Sequence, residues 1–369
     1  MKVATWNIEN LYHRDKALSR SNLSKCASDW ILELDALMPR LQKSENDMAR
    51  IRELTFLLGF ENIDVHPYGV LRKRNGELFL KQRDFAKESK ASRLTDWNGW
   101  VALQTVAVNH NSTLHKARLI AEIDADILVL QEVEDKASLK EFNRMLKDYD
   151  ITSYDEVLVL EGNDDRGLSL AIMTKNGYRL DSVRCHTVDI LDKNNHVFEL
   201  DCQEYAIITP KGKTVFILNT QFSRLNQPKR KLQAQEVAAI YDKLKVEGKE
   251  WVLVCGTLND VSYSDCLSPL LRETDLEDIS RHSTCKAEKD KGKGAGYFRL
   301  GAYRMGVNTK QKDYMLLSYE INQKINYCGV VRKAMWPERN VKWDVYPSLK
   351  QREHAASTHP LIWGDFDIK

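Results

Sequence analysis

The sequence predicts an α/β protein: two packed β-sheets forming a β-sandwich core flanked by helices, in four layers, α/β/β/α. Three observations carry that expectation. Ile127-Leu128-Val129-Leu130 is apolar without alternation, which implies cover on both faces of its strand. β-rich segments follow one another at 155–160, 168–174, 180–190, 197–209 and 214–219. Helical periodicity appears only between some of the strands, which leaves the helices outside the sandwich.

The first strand begins almost at the first residue. Val3, Thr5, Trp6 and Ile8 suit a buried pleated surface, and the run closes on Asn7, Glu9 and Asn10. The stretch from about 13 to 112 reads as a long insert. Trp30, Ile31, Leu34 and Leu37 recur at helical spacing until Pro39 interrupts, and Met48, Ile51, Leu54, Leu57 and Leu58 form a second helix ended by Gly59. Arg72 to Leu78 reads as a hairpin turning at Asn75-Gly76, followed by the Trp-rich Asp96 to Trp100. A short helix over Leu114–Ile123, opened by Ser112 or Thr113, leads into the apolar strand that ends at Glu132. Another helix is expected over Leu139–Leu146, and a longer one over Lys231–Val246. Trp251–Cys255 is a further strand, and late strands are expected at 313–318 and 361–368. Lys286 to Gly296 is a charged, glycine-containing loop. The expected organisation is one domain over 1–369 with the insert inside it.

A chain of 369 residues with 43% hydrophobic and 29% charged residues has ample material for a core and excludes a disordered or fibrous protein. The net charge of +2 means that a polyanionic partner would be held by a local basic surface, not by the overall field. Seven scattered cysteines with no Cys-x-x-Cys pair are neither a disulfide framework nor a zinc cluster, and they suit a reducing compartment. With no secretory leader and no apolar run of membrane length, the expected location is cytoplasmic.

Polar residues follow apolar runs at five places: Asn7/Glu9, Glu132, the turn Gly256-Thr257-Leu258-Asn259-Asp260, Asp313, and His359 in Ser357-Thr358-His359-Pro360. A rigid sheet fixes such residues in space, which is why function collects there. Asn7 and Glu9 are two apart, so they project from one face, where an amide oxygen and a carboxylate suit a hard cation. Alone, the pair reads first as turn formers on a wet surface. Glu132 alone reads equally as a helix cap. Together the five sites point to chemistry.

The motifs Thr-Trp-Asn-Ile-Glu-Asn, Leu-Gln-Glu-Val-Glu-Asp, Gly-Asn-Asp-Asp-Arg-Gly, Gly-Thr-Leu-Asn-Asp, Asp-Tyr-Met-Leu-Leu-Ser and Ser-Thr-His-Pro come in this order along nearly the whole chain. They resemble the endonuclease/exonuclease/phosphatase superfamily of metal-dependent phosphodiesterases, and the insert with the segment 198–205 resembles a bacterial subgroup. The resemblance implies that Asn7 and Glu132 help bind Mg²⁺ or Mn²⁺. Glu9 stands where an Asp is usual and can still ligate with a longer arm. Asp313 and His359 match an Asp–His pair in which the His contacts the scissile phosphate and the carboxylate orients the ring. Asn259 matches the Asn that positions phosphate and nucleophile.

Three departures stand against this agreement. Thr257 replaces the Asp that activates water, and a hydroxyl is a poor general base. Thr358 replaces an Asp before the final His, and Gln221 replaces a frequent His. Arg166 and Asn219 are further phosphate-facing candidates, with Gln221 able to donate to a phosphate oxygen. For Arg166 the competing reading is a salt bridge to its own turn carboxylates. Arg224, Lys229, Arg230 and Lys231 form a basic cluster that reads as a solvated face or as a polyanion surface, and Trp97, Trp100, Trp336 and Trp343 as core or as stacking platforms for bases. The expected protein is a metal-dependent phosphoesterase of atypical or weak activity on a phosphodiester, nucleic acid among the candidates. The alternative is a catalytically impaired member that binds nucleic acid, or binds a protein partner through the 13–112 insert.

Overall fold

The structure is a computed structural model that describes residues 1–11, 13–14, 22–40, 42–58, 69–73, 78–79, 99–103, 106–134, 136–149, 152–163, 168–187, 189–192, 195–287, 311–337 and 343–368. Thirteen strands build the sandwich: β1 (Lys2–Asn7), β2 (Ile127–Val133), β3 (Glu156–Glu161), β4 (Ser169–Thr174), β5 (Arg179–Cys185), β6 (Cys202–Ile208), β7 (Thr214–Gln221), β8 (Val252–Thr257), β9 (Glu277–Asp278), β10 (Cys285–Ala287), β11 (Asp313–Leu317), β12 (Ile325–Val331) and β13 (Leu361–Phe366). One sheet has seven strands in the order β10-β12-β13-β1-β2-β4-β3, and the other has six in the order β5-β6-β7-β8-β11-β9.

Alternation along each strand makes the layers. On β1, Val3 points into the space between the sheets, where it meets Val129 and Ile172 of its own sheet and Tyr205, Ile217, Leu253 and Met315 of the other. Its neighbours Ala4 and Trp6 point the opposite way, under the helices α3 (His110–Ile123) and α4 (Lys136–Met145), with Ala117, Ile120, Leu139 and Phe142 in the same cluster. The outer face of the second sheet, at Leu218, Val254 and Leu316, is covered by Ala234, Val237 and Tyr241 of a long helix over Gln227–Val246. Strands buried on both faces need apolar residues at every position, which is why β2 reads as a continuous apolar run. Among the described residues, no helix is long and apolar enough to cross a membrane.

Strand direction gathers the polar ends at one edge of the sandwich. β1 and β2 are parallel, with Asn7 opposite Gln131, and β13 runs antiparallel to β1 just after His359. In the other sheet β7 and β8 are parallel, with Gln221 opposite Thr257, and Asp313 opens the antiparallel β11 opposite Thr257.

Residues 13–112 contain the two expected helices, α1 (Asn22–Leu37) and α2 (Glu45–Leu57), the second opened by a capping box between Ser44 and Asp47. The strands Gly69–Lys73 and Leu78–Phe79 pair antiparallel as a hairpin requires; its turn, Asn75-Gly76, lies outside the described residues, as do Trp97 and most of the Lys286–Gly296 loop.

Several boundaries differ from expectation, each for a local reason. α3 begins at His110, not Leu114, because Asn109 caps it by accepting from the Asn111 N–H. The hydroxyls of Ser112 and Thr113 go instead to the carbonyls of Ala355 and Leu11. The long helix starts at Gln227, capped by Asn226, with Pro228 in its first turn. The strand expected over 197–209 starts only at Cys202, because Asp201 Oδ1 accepts from both the Cys202 and His186 N–H groups and diverts the backbone before it. β12 was not expected at all. Gly329 reads as a strand breaker, but a Cβ there would stand 2.8 Å from both Lys286 O and Trp363 Nε1, so glycine is what admits the neighbours.

Candidate active site

β1 delivers Asn7, and the backbone then turns through two left-handed residues, Glu9 (φ 47°) and Asn10 (φ 63°). The Glu9 N–H donates to Asn7 Oδ1 at 3.1 Å, and the Asn10 N–H to Glu132 O at 2.8 Å, which stitches the turn to β2. Below it, the Leu11 N–H donates to the buried Glu134 carboxylate, and Lys116 Nζ donates to Asn10 O at 2.6 Å. Glu134 sits two residues after Glu132, where a second carboxylate was a legible signal. Lys116, on the buried face of α3, gave none.

β2 does not stop at Glu132, as expected, but runs to Val133. Its pairing with β4 shifts register between Leu130 and Val133, and Glu132 there is left-handed at φ 58°. This is a bulge, and it re-aims the Glu132 side chain toward the other sheet. Gln221 Nε2, at the end of β7, donates to Glu132 Oε1 at 2.7 Å. The two sheets meet at this contact.

Thr257 ends β8 and is 1% exposed. Its Oγ1 accepts from Asn7 Nδ2 at 3.2 Å and donates to Asp313 Oδ1 at 2.8 Å. The hydroxyl couples Asn7 to the Asp–His pair. Asp313 in turn holds His359, whose Nδ1 lies 2.8 and 2.9 Å from the two carboxylate oxygens. Ser357 Oγ donates to Asn7 O and accepts from the His359 N–H, and Trp6 Nε1 donates to His359 O, so the loop before β13 is fastened onto β1.

Thr358 answers the second departure. Its N–H and its Oγ1 donate to the two oxygens of Glu9, at 3.0 and 2.5 Å. A carboxylate here would repel Glu9; the hydroxyl steadies it. His359 Nε2 stands 3.9 Å from Glu9 Oε1. Burial opposes charge on this imidazole, whose side chain is 15% exposed, but Asp313 acts against burial both as a charge and as a hydrogen-bond acceptor, and Glu9 and Glu132 add to it. Together they raise it to about 9. His359 is therefore an imidazolium at neutral pH, with Nε2–H facing the cleft.

Asn259 is left-handed at φ 55° and its Nδ2 donates to Phe222 O at 2.8 Å, which fixes the plane of the amide beside the cleft. Asn219 corrects an expectation. It is fully buried, its Nδ2 donates to Leu130 O and Ala171 O, and its Oδ1 accepts from Gln131 Nε2, so it ties the sheets together and does not face substrate. Arg166 lies outside the described residues. In the basic cluster, Arg230 is buried against Asp260 at 3.2 Å and Lys229 lies 3.7 Å from Glu199, which leaves Arg224 and Lys231 as its exposed members. Trp336 packs against the first core cluster, and Trp343 lies under the Arg332 guanidinium; the Trp100 side chain is outside the described residues.

Among the described residues there is no cluster of three or more His, Cys, Asp or Glu side chains placed to hold a metal ion. Mg²⁺ does not need one. It takes one or two carboxylates and keeps several waters, and Glu132, Glu9 and the Asn7 amide oxygen are hard donors of that kind. The donor set fits Mg²⁺ or Mn²⁺.

No family model matches the chain, and no curated protein matches it. Solved structures do. A mannosyl-6-phosphatase of Bacteroides thetaiotaomicron is 14% identical, with 70% of this chain and 90% of that chain covered and a TM-score of 0.48. An endonuclease/exonuclease/phosphatase family protein of the same organism is 16% identical, with 70% and 89% covered and a TM-score of 0.47. The human Nocturnin catalytic domain is 13% identical, with 70% and 87% covered and a TM-score of 0.46. The fold assignment rests on the strand order and layering described above, not on these likenesses.

Proposed function

We propose that this chain is a slow, metal-dependent phosphodiester hydrolase of the endonuclease/exonuclease/phosphatase type. One observation carries the reading: His359, held charged by Asp313, faces the same cleft as Glu132, Glu9 and Asn7. At neutral pH this imidazolium turns its Nε2 toward the cleft beside two carboxylates. It suits a site where a phosphate is to be gripped and a leaving oxygen protonated.

Glu132, Glu9 and the Asn7 amide oxygen would hold Mg²⁺ or Mn²⁺. Such an ion, when bound, withdraws charge from a phosphate oxygen. The chain's own residues do the rest. Nδ1–H of His359 stays on Asp313, which leaves Nε2–H free to donate to the phosphate and then to give its proton to the departing alkoxide. Asn259 offers its amide to a non-bridging oxygen. Thr257, its hydroxyl spent between Asn7 and Asp313, takes no proton.

That last point favours a second reading, a catalytically impaired binding module. Losing a general base costs roughly 10²- to 10⁴-fold. Hydrolysis of a chromogenic phosphodiester, supercoiled plasmid and single-stranded RNA separates the two, run with Mg²⁺, with Mn²⁺ and with chelator. Turnover that needs metal and vanishes in Glu132→Gln and His359→Ala supports the enzyme. Equal traces in all three proteins support the binding module.

A further inference from the structure

Gln221 is buried, and its amide orientation is dictated by its neighbour. A carboxylate only accepts hydrogen bonds, so the atom 2.7 Å from Glu132 Oε1 must be the nitrogen. Oε1 is thereby turned the other way, and no donor among the described residues meets it. A buried carbonyl oxygen without a partner gives up the hydrogen bond that it has in water, and natural proteins keep few of them; a working water is one of the recognised reasons.

The position supplies the reason here. Gln221 lies directly opposite Thr257 on parallel strands, so the two side chains are neighbours at the floor of the cleft. The Thr257 hydroxyl is already spent on Asn7 and Asp313. Among the described residues, Gln221 Oε1 is the buried acceptor at this pair of strand ends that is left without a donor.

We propose that Gln221 positions the attacking water, a task for which position 257 has no carboxylate. The inference rests on the hydrolase reading above. One O–H of the water donates to Gln221 Oε1, which directs an oxygen lone pair at phosphorus. As the new P–O bond forms, the bond to the leaving alcohol breaks, and the departing oxygen takes the proton from His359 Nε2. The proton of the attacking water passes to a non-bridging phosphate oxygen of the product and from there restores His359. An amide cannot accept a proton at neutral pH, so the water is aimed but not ionised, and turnover is slow.

The test is hydrolysis of bis(4-nitrophenyl) phosphate at saturating Mn²⁺, from about pH 6 to about 9, by wild type, Gln221→Leu and Gln221→Glu. Mn²⁺ affinity by calorimetry and thermal unfolding are measured on the same preparations. Gln221→Leu keeps the volume and removes the acceptor, and with it the donor to Glu132, so the rate is read at saturating Mn²⁺: kcat should fall about 10²-fold there while KM stays within about threefold. The carboxylate introduced by Gln221→Glu can take the proton but also faces Glu132, so that variant should recover turnover relative to Gln221→Leu at saturating Mn²⁺, where the cation offsets the two charges, and show a pH limb that wild type lacks. A wild-type kcat in Gln221→Leu overturns the inference, as does a loss of rate accounted for by lost Mn²⁺ affinity or lost folding. No metal-dependent turnover in wild type overturns the hydrolase reading itself, and the inference with it.

Discussion

Asp313→Asn is the perturbation that separates a charged His359 from a merely buried one. In the folded chain the imidazole is raised from 6.5 to about 9, in spite of burial, by the Asp313 charge and hydrogen bond and by Glu9 and Glu132. A rise of that size corresponds to about 3 kcal/mol of preference for the charged form. Because the folded value lies above the unfolded one, this stability is fully present below about pH 6.5, where both states are protonated. It is lost as pH rises toward 9, where the unfolded chain releases its proton first. In Asp313→Asn the amide oxygen can still accept from Nδ1, but the charge is gone and burial acts with less opposition, so the imidazole should fall well below the wild-type value. Denaturant unfolding in chelator at about pH 6 and about pH 9.5 should show wild type losing about 3 kcal/mol more than the variant over that interval. Proton NMR of the His359 ring, assigned by difference against His359→Gln, reports the same quantity directly. A wild-type midpoint at or below 6.5, or an equal pH dependence in the two proteins, would refute the coupling of the pair.

Three further perturbations address other parts of the argument. Gly256 has φ 149° and a Cβ there would stand 1.8 Å from Thr220 O, so Gly256→Ala should cost more than about 2 kcal/mol in denaturant unfolding; a loss below about 0.5 would show that the strands can part at that point. Thr358→Asp places a carboxylate against Glu9 in place of a donor and should tighten Mn²⁺ binding in calorimetry, whereas unchanged affinity would mean that Glu9 is not a ligand. Arg230→Ala leaves Asp260 without its buried partner and should cost about 3 kcal/mol of stability; if stability is unchanged and only the salt dependence of RNA binding moves, Arg230 is a contact residue and not a brace.

The layering was legible from β2 and from the helical periods of the flanking segments, because burial on two faces writes itself into every position of a strand. The candidate site was legible at its strand ends: Asn7, Glu9, Glu132, Asn259, Asp313 and His359 each follow or open an apolar run, and the strands bring them to one edge. Other features were hidden for physical reasons. A bulge such as that at Glu132 has no residue signature unless glycine marks it. Whether Asn219 faces substrate or the interior depends on how far it lies from the end of β7, because Asn219 and Gln221, two apart, share the face toward the other sheet and look alike from the sequence. The service of Thr257 and Thr358 as donors was invisible because the partners they serve, Asp313 and Glu9, are remote in the chain.

Apolar sheet faces hold each other without preference for direction, and one could slide over the other at little cost in contact area. Gln131 and Asn219 prevent this. Gln131 Nε2 bonds Asn219 Oδ1 at 2.9 Å, and Asn219 Nδ2 reaches back to Leu130 O at 3.0 Å, all at full burial between the sheets. The pair works as a dowel. It sits one residue before Glu132 on one strand and two before Gln221 on the other, so the alignment of the cleft is machined a pleat below its floor. Wear at the dowel would be felt as play in the jaws: a change at Asn219, out of reach of any substrate, would shift the two halves of the site against each other.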